Sequence, residues 1–325
     1  MKIYLFKPYD VIGFGGLKNF SAGETHIQKS IFPPPIMRFF HIFNSVYGVF
    51  LYKDGNLFLP VPSDCLVKRK EESGKAKISP LEFPPLIRGD LEAYERANGF
   101  ISFSDLMNKY AKNIDGFKIY LLEEFLKKES RVGITLDKER RVVRSIKEIN
   151  RKEEKGLLYS QDFFRFNDGV KLAVLGEINK DIVISGKQYF RLGGEGKIVS
   201  FKHTEHINSF LEGKIKIKNG NYYKFYCLTH AYINNGIIES KIQTICIEGI
   251  NFEVEWLYNG GVEYVSGYNK PFLEMLRPGS VLILKAKNEG EIQRLNQIST
   301  NVPISNIKNF LNRGWNSGII VEGVK

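Results

Sequence analysis

Residues 190–201 read FRLGGEGKIVSF, with three glycines inside four positions, Arg191 before them and Lys197 after. Glycine lets consecutive backbone N–H groups approach an anion unobstructed, and the flanking cations add charge. Two chemistries use that pattern: a nucleotide pocket in an enzyme, and a clamp on a nucleic-acid backbone. A phosphate-binding P-loop needs glycine, four residues, then Gly-Lys-Ser/Thr. Here Gly196-Lys197 is followed by Ile198, and Arg191 stands where the first glycine belongs. A dinucleotide fingerprint also fails at GFGGLK, because Gly13 and Gly15 fit but Lys18 takes the third glycine position. The clamp reading survives, in competition with a plain tight turn.

Other chemistry-bearing residues are scattered. The histidines are His26, His41, His203, His206 and His230. His203 and His206 are spaced to share a face, but no third ligand follows a zinc spacing and HExxH is absent. His41 is the one candidate general base for RNA cleavage, and a packed histidine is the competing reading. Cys65, Cys227 and Cys246 lie far apart with no CxxC, so neither a zinc ribbon nor a disulfide framework is indicated. No GxSxG elbow occurs. In the first loop Asp10, Phe14, Phe20 and Gly23 interleave with Lys18 and Lys29, a basic and aromatic mixture suited to single-stranded RNA.

The whole chain agrees with an anionic partner. Its 325 residues carry a formal net charge of +11, and the pI is near 9.3. That excess favours nucleic acid or an acidic surface, and it also arises as a solubility device. Aromatics make up 13% of the chain, enough to supply stacking faces as well as core. No apolar run approaches the roughly 20 residues of a membrane span. MKIYLFKPYD reaches a proline and an acid too early for a signal peptide. A reduced cytoplasmic setting with no membrane partner is the expectation.

The elements that must position these residues read as interleaved strands and helices. MKIYLF alternates as an opening strand. PPP at 33–35 is a stiff lead-in to a helix expected over 37–47, and LYKDGNLFLPVP is a hairpin around Asp54-Gly55. KRKEESGKAK is a charged loop, FISFSDLMNKYAKN and KIYLLEEFLKKE carry helical spacing, and GLLYSQDFFRF with GVKLAVLGEI read as paired strands. Residues 138–155 hold eight cations against four acids, a solvated face or a phosphate track. Short β-rich runs follow Lys202, EIQRLNQIS and ISNIKNFLNRG are helical candidates, and SGIIVEGVK closes as a strand. The fold class is α+β, with domains at 1–205 and 206–325.

In order along the chain come P-Y-D-V, F-S-A-G-E, S-I-F-P-P-P, R-V-G-I-T-L-D, L-L-Y-S, R-L-G-G-E-G-K, Y-V-S-G-Y-N, R-P-G-S-V-L-I-L and G-W-N-S-G-I-I. This order resembles the RAMP superfamily of CRISPR proteins, specifically the third subunit of the type III-B Cmr effector complex. The sister subunit of the Csm complex shares the layout. The resemblance spans Lys7 to Ile320. It implies two tandem ferredoxin-like (RRM-like) domains, binding of the 5′ tag of CRISPR RNA (crRNA), and docking on the large polymerase-like subunit and on backbone RAMP subunits. No cofactor is expected of this chain itself; the one place for a nucleotide is the interface with the large subunit.

On that resemblance the N–H groups of Gly193, Gly194 and Gly196 cradle the tag backbone, and Arg191 and Lys197 pair with adjacent phosphates. Lys18, standing in for a family arginine, and Arg38 contact the tag from the N-terminal domain. Phe20 or His26 stacks on a base, and Glu195 caps the turn or orients a cation. The alternatives are a metal-independent endoribonuclease with His41 as base, and an interaction module without RNA contact of its own.

Overall fold

The computed structural model describes residues 2–15, 26–68, 75–78, 94–134, 158–185, 188–193, 196–204, 211, 213–232, 243–265, 273–299, 309 and 311–323. A seven-stranded sheet organises the N-terminal half. Its strands run, edge to edge, Tyr189–Arg191, Ile198–Thr204, Lys2–Pro8, Lys171–Ile178, Phe43–Lys53, Asn56–Pro60 and Phe100–Ser102. The opening strand is therefore central, paired antiparallel with Lys171–Ile178 on one side and Ile198–Thr204 on the other. Such a strand is buried on both faces, and Ile3, Tyr4, Leu5 and Phe6 are all buried. A smaller sheet pairs Leu126–Ile134 with Leu158–Phe166 and adds His26–Gln28 in parallel.

Lys214–Glu322 builds the second half around a six-stranded sheet: Gln243–Ile247, Ile250–Tyr258, Val281–Ala286, Tyr222–Cys227, Ser317–Glu322 and Leu295–Gln297. Its core is continuous with that of the first sheet. Ile3, Leu5, Phe50 and Leu175 pack in one cluster with Tyr226, Leu228, Ile283 and Ile319.

Local chemistry explains where the elements depart from periodicity. Residues 37–47 do not form a helix: Ile36–Phe39 makes one 3-10 turn and the chain enters a strand at Phe43. Pro35 offers no side-chain cap, and the β-branched and aromatic residues of FNSVYGVFLYK fit a pleated, two-sided core better than a helix. The hairpin at 54–55 forms as expected, with Asp54 and Gly55 both at positive φ (49° and 83°), as a primed turn requires. FISFSDLMNKYAKN gives an α-helix over Phe103–Asn108, capped by the Ser102 hydroxyl on the Asp105 N–H, and a 3-10 turn over Tyr110–Lys112. Part of KIYLLEEFLKKE is instead the strand Leu126–Ile134, and EIQRLNQIS lies in the strands Gly290–Gln293 and Leu295–Gln297.

GLLYSQDFFRF and GVKLAVLGEI contribute strands that do not pair with each other. Leu158–Phe166 pairs with Leu126–Ile134, whereas Lys171–Ile178 joins the large sheet. Side-chain alternation encodes burial, and partner choice is left to the rest of the fold. Closing SGIIVEGVK contains the strand Ser317–Glu322, as expected. The charged run 138–155, most of the 68–77 insertion, and residues 304–308 and 310 of ISNIKNFLNRG lie outside the described residues.

One ion pair is sealed between the strand Tyr222–Cys227 and the turn that follows Asn56–Pro60. Lys224 Nζ lies 2.7 Å from Asp64 Oδ2, with both side chains 1% exposed. The Tyr110 hydroxyl donates to the same carboxylate at 2.9 Å, and Lys224 Nζ sits 5.0 Å from the Tyr110 ring centroid. Removing one partner leaves a buried uncompensated charge, which costs about 3–5 kcal/mol. Lys224→Met is expected to lower the free energy of urea unfolding by that amount, and adding Asp64→Leu to recover most of it.

Candidate nucleic-acid interface

The glycine-rich stretch is the connection of an edge hairpin. Tyr189–Arg191 pairs with Ile198–Thr204, and the Leu192 N–H closes the loop on the Lys197 carbonyl at 2.7 Å. Gly193 has φ +76°, and a Cβ there would meet the Gly13 carbonyl oxygen and Ile12 Cγ2 at 2.6 Å. Glycine at 193 is thus required twice, by backbone conformation and by close approach of the first loop. Gly196 has φ +61° and open space beyond Arg191, whose Cδ would be 3.5 Å from an added Cβ.

The first loop is tied down from several sides. Ile12 exchanges backbone hydrogen bonds with Phe164 at 2.9 and 2.8 Å. The Ser30 hydroxyl accepts from the Phe14 N–H at 3.1 Å and donates to the Asp162 carbonyl. Arg38, on the 3-10 turn, donates to the Gly15 carbonyl at 2.6 Å. His41 Nε2 donates to the Arg191 carbonyl at 2.9 Å, so this nitrogen is engaged by the hairpin.

Around Asp10 the two sheets bring three cations together. Arg131 and Arg165 each reach its carboxylate at 3.3 Å and Lys197 at 3.5 Å. Glu129 holds the same two guanidiniums, Arg131 at 3.2 Å and Arg165 more closely. Arg131 and Lys197 also lie over the buried Phe163 ring, 5.4 and 5.7 Å from its centroid. Three cations against two acids leave the cluster net positive, and Arg191 beside it is exposed. The Val11 N–H first, then Arg131, holds the Asp10 carboxyl down at about 2. The hydrogen bond from Arg165 lowers Glu129 in the same way.

The expected site residues therefore fall into groups. Arg191, Gly193, Gly196, Lys197, Arg38 and His41 meet at one end of the large sheet. Lys197 is ion-paired with Asp10, and Arg38 is turned to the first loop. Lys18, Phe20, Gly194 and Glu195 lie outside the described residues, as do the side chains of His26 and His203 and all of His206. Arg131 and Arg165 are not singled out by any spacing in the sequence. RVGITLD and FFRF contain them, but only strand pairing puts both against Asp10. Among the described residues no three His, Cys, Asp or Glu side chains converge as metal ligands, and no helix is long and apolar enough to cross a membrane.

A family model described as CRISPR-associated protein (Cas_Cmr3) matches residues 40–322. Comparison with curated proteins gave no match. Among solved structures, the chain is similar to one in the cryo-EM structure of the Type III-B Cmr-beta bound to cognate target RNA and AMPPnP. Identity is 16%, coverage is 87% of this chain and 86% of that one, and the TM-score is 0.46. A chain of the Csm3-Csm4 subcomplex in the type III-A CRISPR-Cas interference complex is similar at 13% identity. There coverage is 93% of this chain and all of that one, with a TM-score of 0.40.

Two outcomes follow from the geometry. Gly193→Ala places a Cβ on the Gly13 carbonyl in a left-handed conformation that alone costs about 1–2 kcal/mol. Faster amide hydrogen exchange is expected in residues 189–204, with the C-terminal sheet unchanged. For Asp10, the depressed folded value means its contribution is present above the ordinary carboxylate value of about 4 and is lost as pH falls through about 2. Arg131→Gln should move the Asp10 titration, followed by carboxyl NMR, part of the way back up.

Proposed function

The chain belongs to the Cas_Cmr3 family of CRISPR-associated proteins, and we propose that it is a non-catalytic RNA-binding subunit of a type III effector complex. In this reading it is built on two tandem ferredoxin-like units, holds the 5′ tag of crRNA, and docks on the large polymerase-like subunit and the backbone RAMP subunits. The observation that carries it is the meeting of the glycine hairpin, the first loop and the Arg131–Arg165–Lys197 cluster at one end of the N-terminal sheet. Backbone amides and cations on fixed elements suit the positioning of a phosphodiester chain.

The acids Asp10 and Glu129 do not oppose this role. They hold the guanidiniums of Arg131 and Arg165 in fixed positions, so that less side-chain freedom is lost when phosphates arrive. His41 braces the hairpin through the Arg191 carbonyl, which suits a structural part.

Filter binding of tag-bearing RNA over a salt series tests the reading. Arg191→Gln and Arg165→Gln should each lower the slope of log K against log salt by about 0.7, the single-strand value per lost phosphate contact. Unchanged slopes in both variants would remove the interface. Specific cleavage of repeat RNA in EDTA that disappears in His41→Ala would replace the non-catalytic reading with the endoribonuclease one.

A further inference from the structure

A second concave surface lies just beyond the hairpin, on the other side of Tyr9. It is a pocket of about 640 Å³ at the edge of the seven-stranded sheet. Tyr9 and Tyr189 form one side of it and are 63% and 54% exposed, unusual values for aromatic rings so close together. Their centroids are 6.1 Å apart with planes tilted by 36°. The proximity of Tyr9 raises the Tyr189 hydroxyl above its ordinary value. Phe201 also lines the pocket, stacked on Tyr4 at 5.4 Å.

The polar lining has a consistent sign. Lys2 and Lys202 bring two ammonium groups, and neither enters an ion pair among the described residues. No carboxylate lines the pocket among those residues. Gln188 adds an amide that both donates and accepts. Exposed aromatic faces, cations and groups that both donate and accept hydrogen bonds are what a nucleotide needs, since every base has a π-face and every link a charge. A protein partner's apolar segment would use the rings but leave two ammonium groups to be desolvated without anions.

We infer that this pocket receives one unstacked nucleotide of a single-stranded RNA, its base against the Tyr9–Tyr189 pair and its flanking phosphates at Lys2 and Lys202. The inference rests on the RNA-binding reading and extends it, because Tyr9 precedes Asp10 and its N–H bonds to the Ile198 carbonyl at 3.3 Å. A strand held at the glycine hairpin therefore continues into the pocket without crossing the protein. The tyrosines supply affinity that tolerates any base, and Gln188 supplies preference for one edge pattern.

Single-stranded RNA of mixed sequence, with 2-aminopurine placed at successive positions, is the probe. With the full-length chain, quenching should be strongest at one position. The double variant Tyr9→Ser with Tyr189→Ser should abolish that quenching and weaken binding about 5- to 150-fold, the range that base–aromatic stacking supplies. Tyr9→Phe with Tyr189→Phe keeps the rings and should retain the quenching, which controls for folding. Lys202→Gln should lower affinity and salt slope while the quenching persists at saturation.

RNA bound as tightly, with the same quenching, by the serine double variant would overturn the pocket and leave the hairpin interface standing. A wild-type chain that binds no RNA would overturn both. A folded serine variant that keeps its RNA affinity but no longer joins companion subunits would reassign the pocket to protein docking and so overturn the proposal.

Discussion

A lysine ammonium on the six-stranded sheet and an aspartate carboxylate in the turn after Asn56–Pro60 lie 2.7 Å apart, shut away from water. Taking either charge into the interior alone would cost several kcal/mol, so each dictates the presence of the other. Asp64 precedes the strand Cys65–Lys68 of the first half, and Lys224 lies on the strand Tyr222–Cys227 of the second. The pair therefore fixes how the halves are set against each other, in a way that the apolar cluster around it does not. Hydrophobic contact is non-directional and tolerates sliding, whereas an ion pair with a tyrosine donor on the same carboxylate tolerates little.

With the large sheet set, its exposed edge becomes a site through neighbours that are remote in sequence. The hairpin at 189–204 is appended to the opening strand, and the first loop leaves that same strand at Pro8. Both segments must pass within van der Waals distance of each other, which is possible because Gly193 has no Cβ to strike the Gly13 carbonyl, while Gly13 itself leaves room for Gln161 and Phe163. The small sheet then delivers Arg131 and Arg165 to Asp10 from strands that begin more than a hundred residues further along. Charge at this edge is concentrated and held rather than trailing on mobile side chains.

Several features were legible from residues alone. The opening strand, the Asp54–Gly55 turn and the closing strand all follow from local rules, because alternation and positive-φ preference act within a few residues. The α+β composition and the excess of positive charge required no coordinates. The helix expected over 37–47 was misread. A run such as FNSVYGVFLYK satisfies both helical and strand patterns, and only the strand of residues 171–178 beside it resolves the choice. The pairing of GLLYSQDFFRF with GVKLAVLGEI was misread for the same kind of reason, since each strand found a partner elsewhere in the chain.

Among candidate site residues, the glycines and their flanking cations were visible because spacing carries them. Arg131 and Arg165 were hidden inside strand patterns, and the tyrosine pair at 9 and 189 was hidden by 180 positions of sequence. Amino-acid order by itself determined which segments could turn, alternate or carry charge, and through the order of its motifs the family to which the chain belongs. Tertiary structure alone decided that Lys197 faces Asp10, that Gly193 is glycine to admit Gly13, and that two distant tyrosines share one pocket. The reason is physical: conformational preference acts over a few bonds, whereas ion pairing, steric exclusion and stacking act through space between groups that only the folded chain brings together.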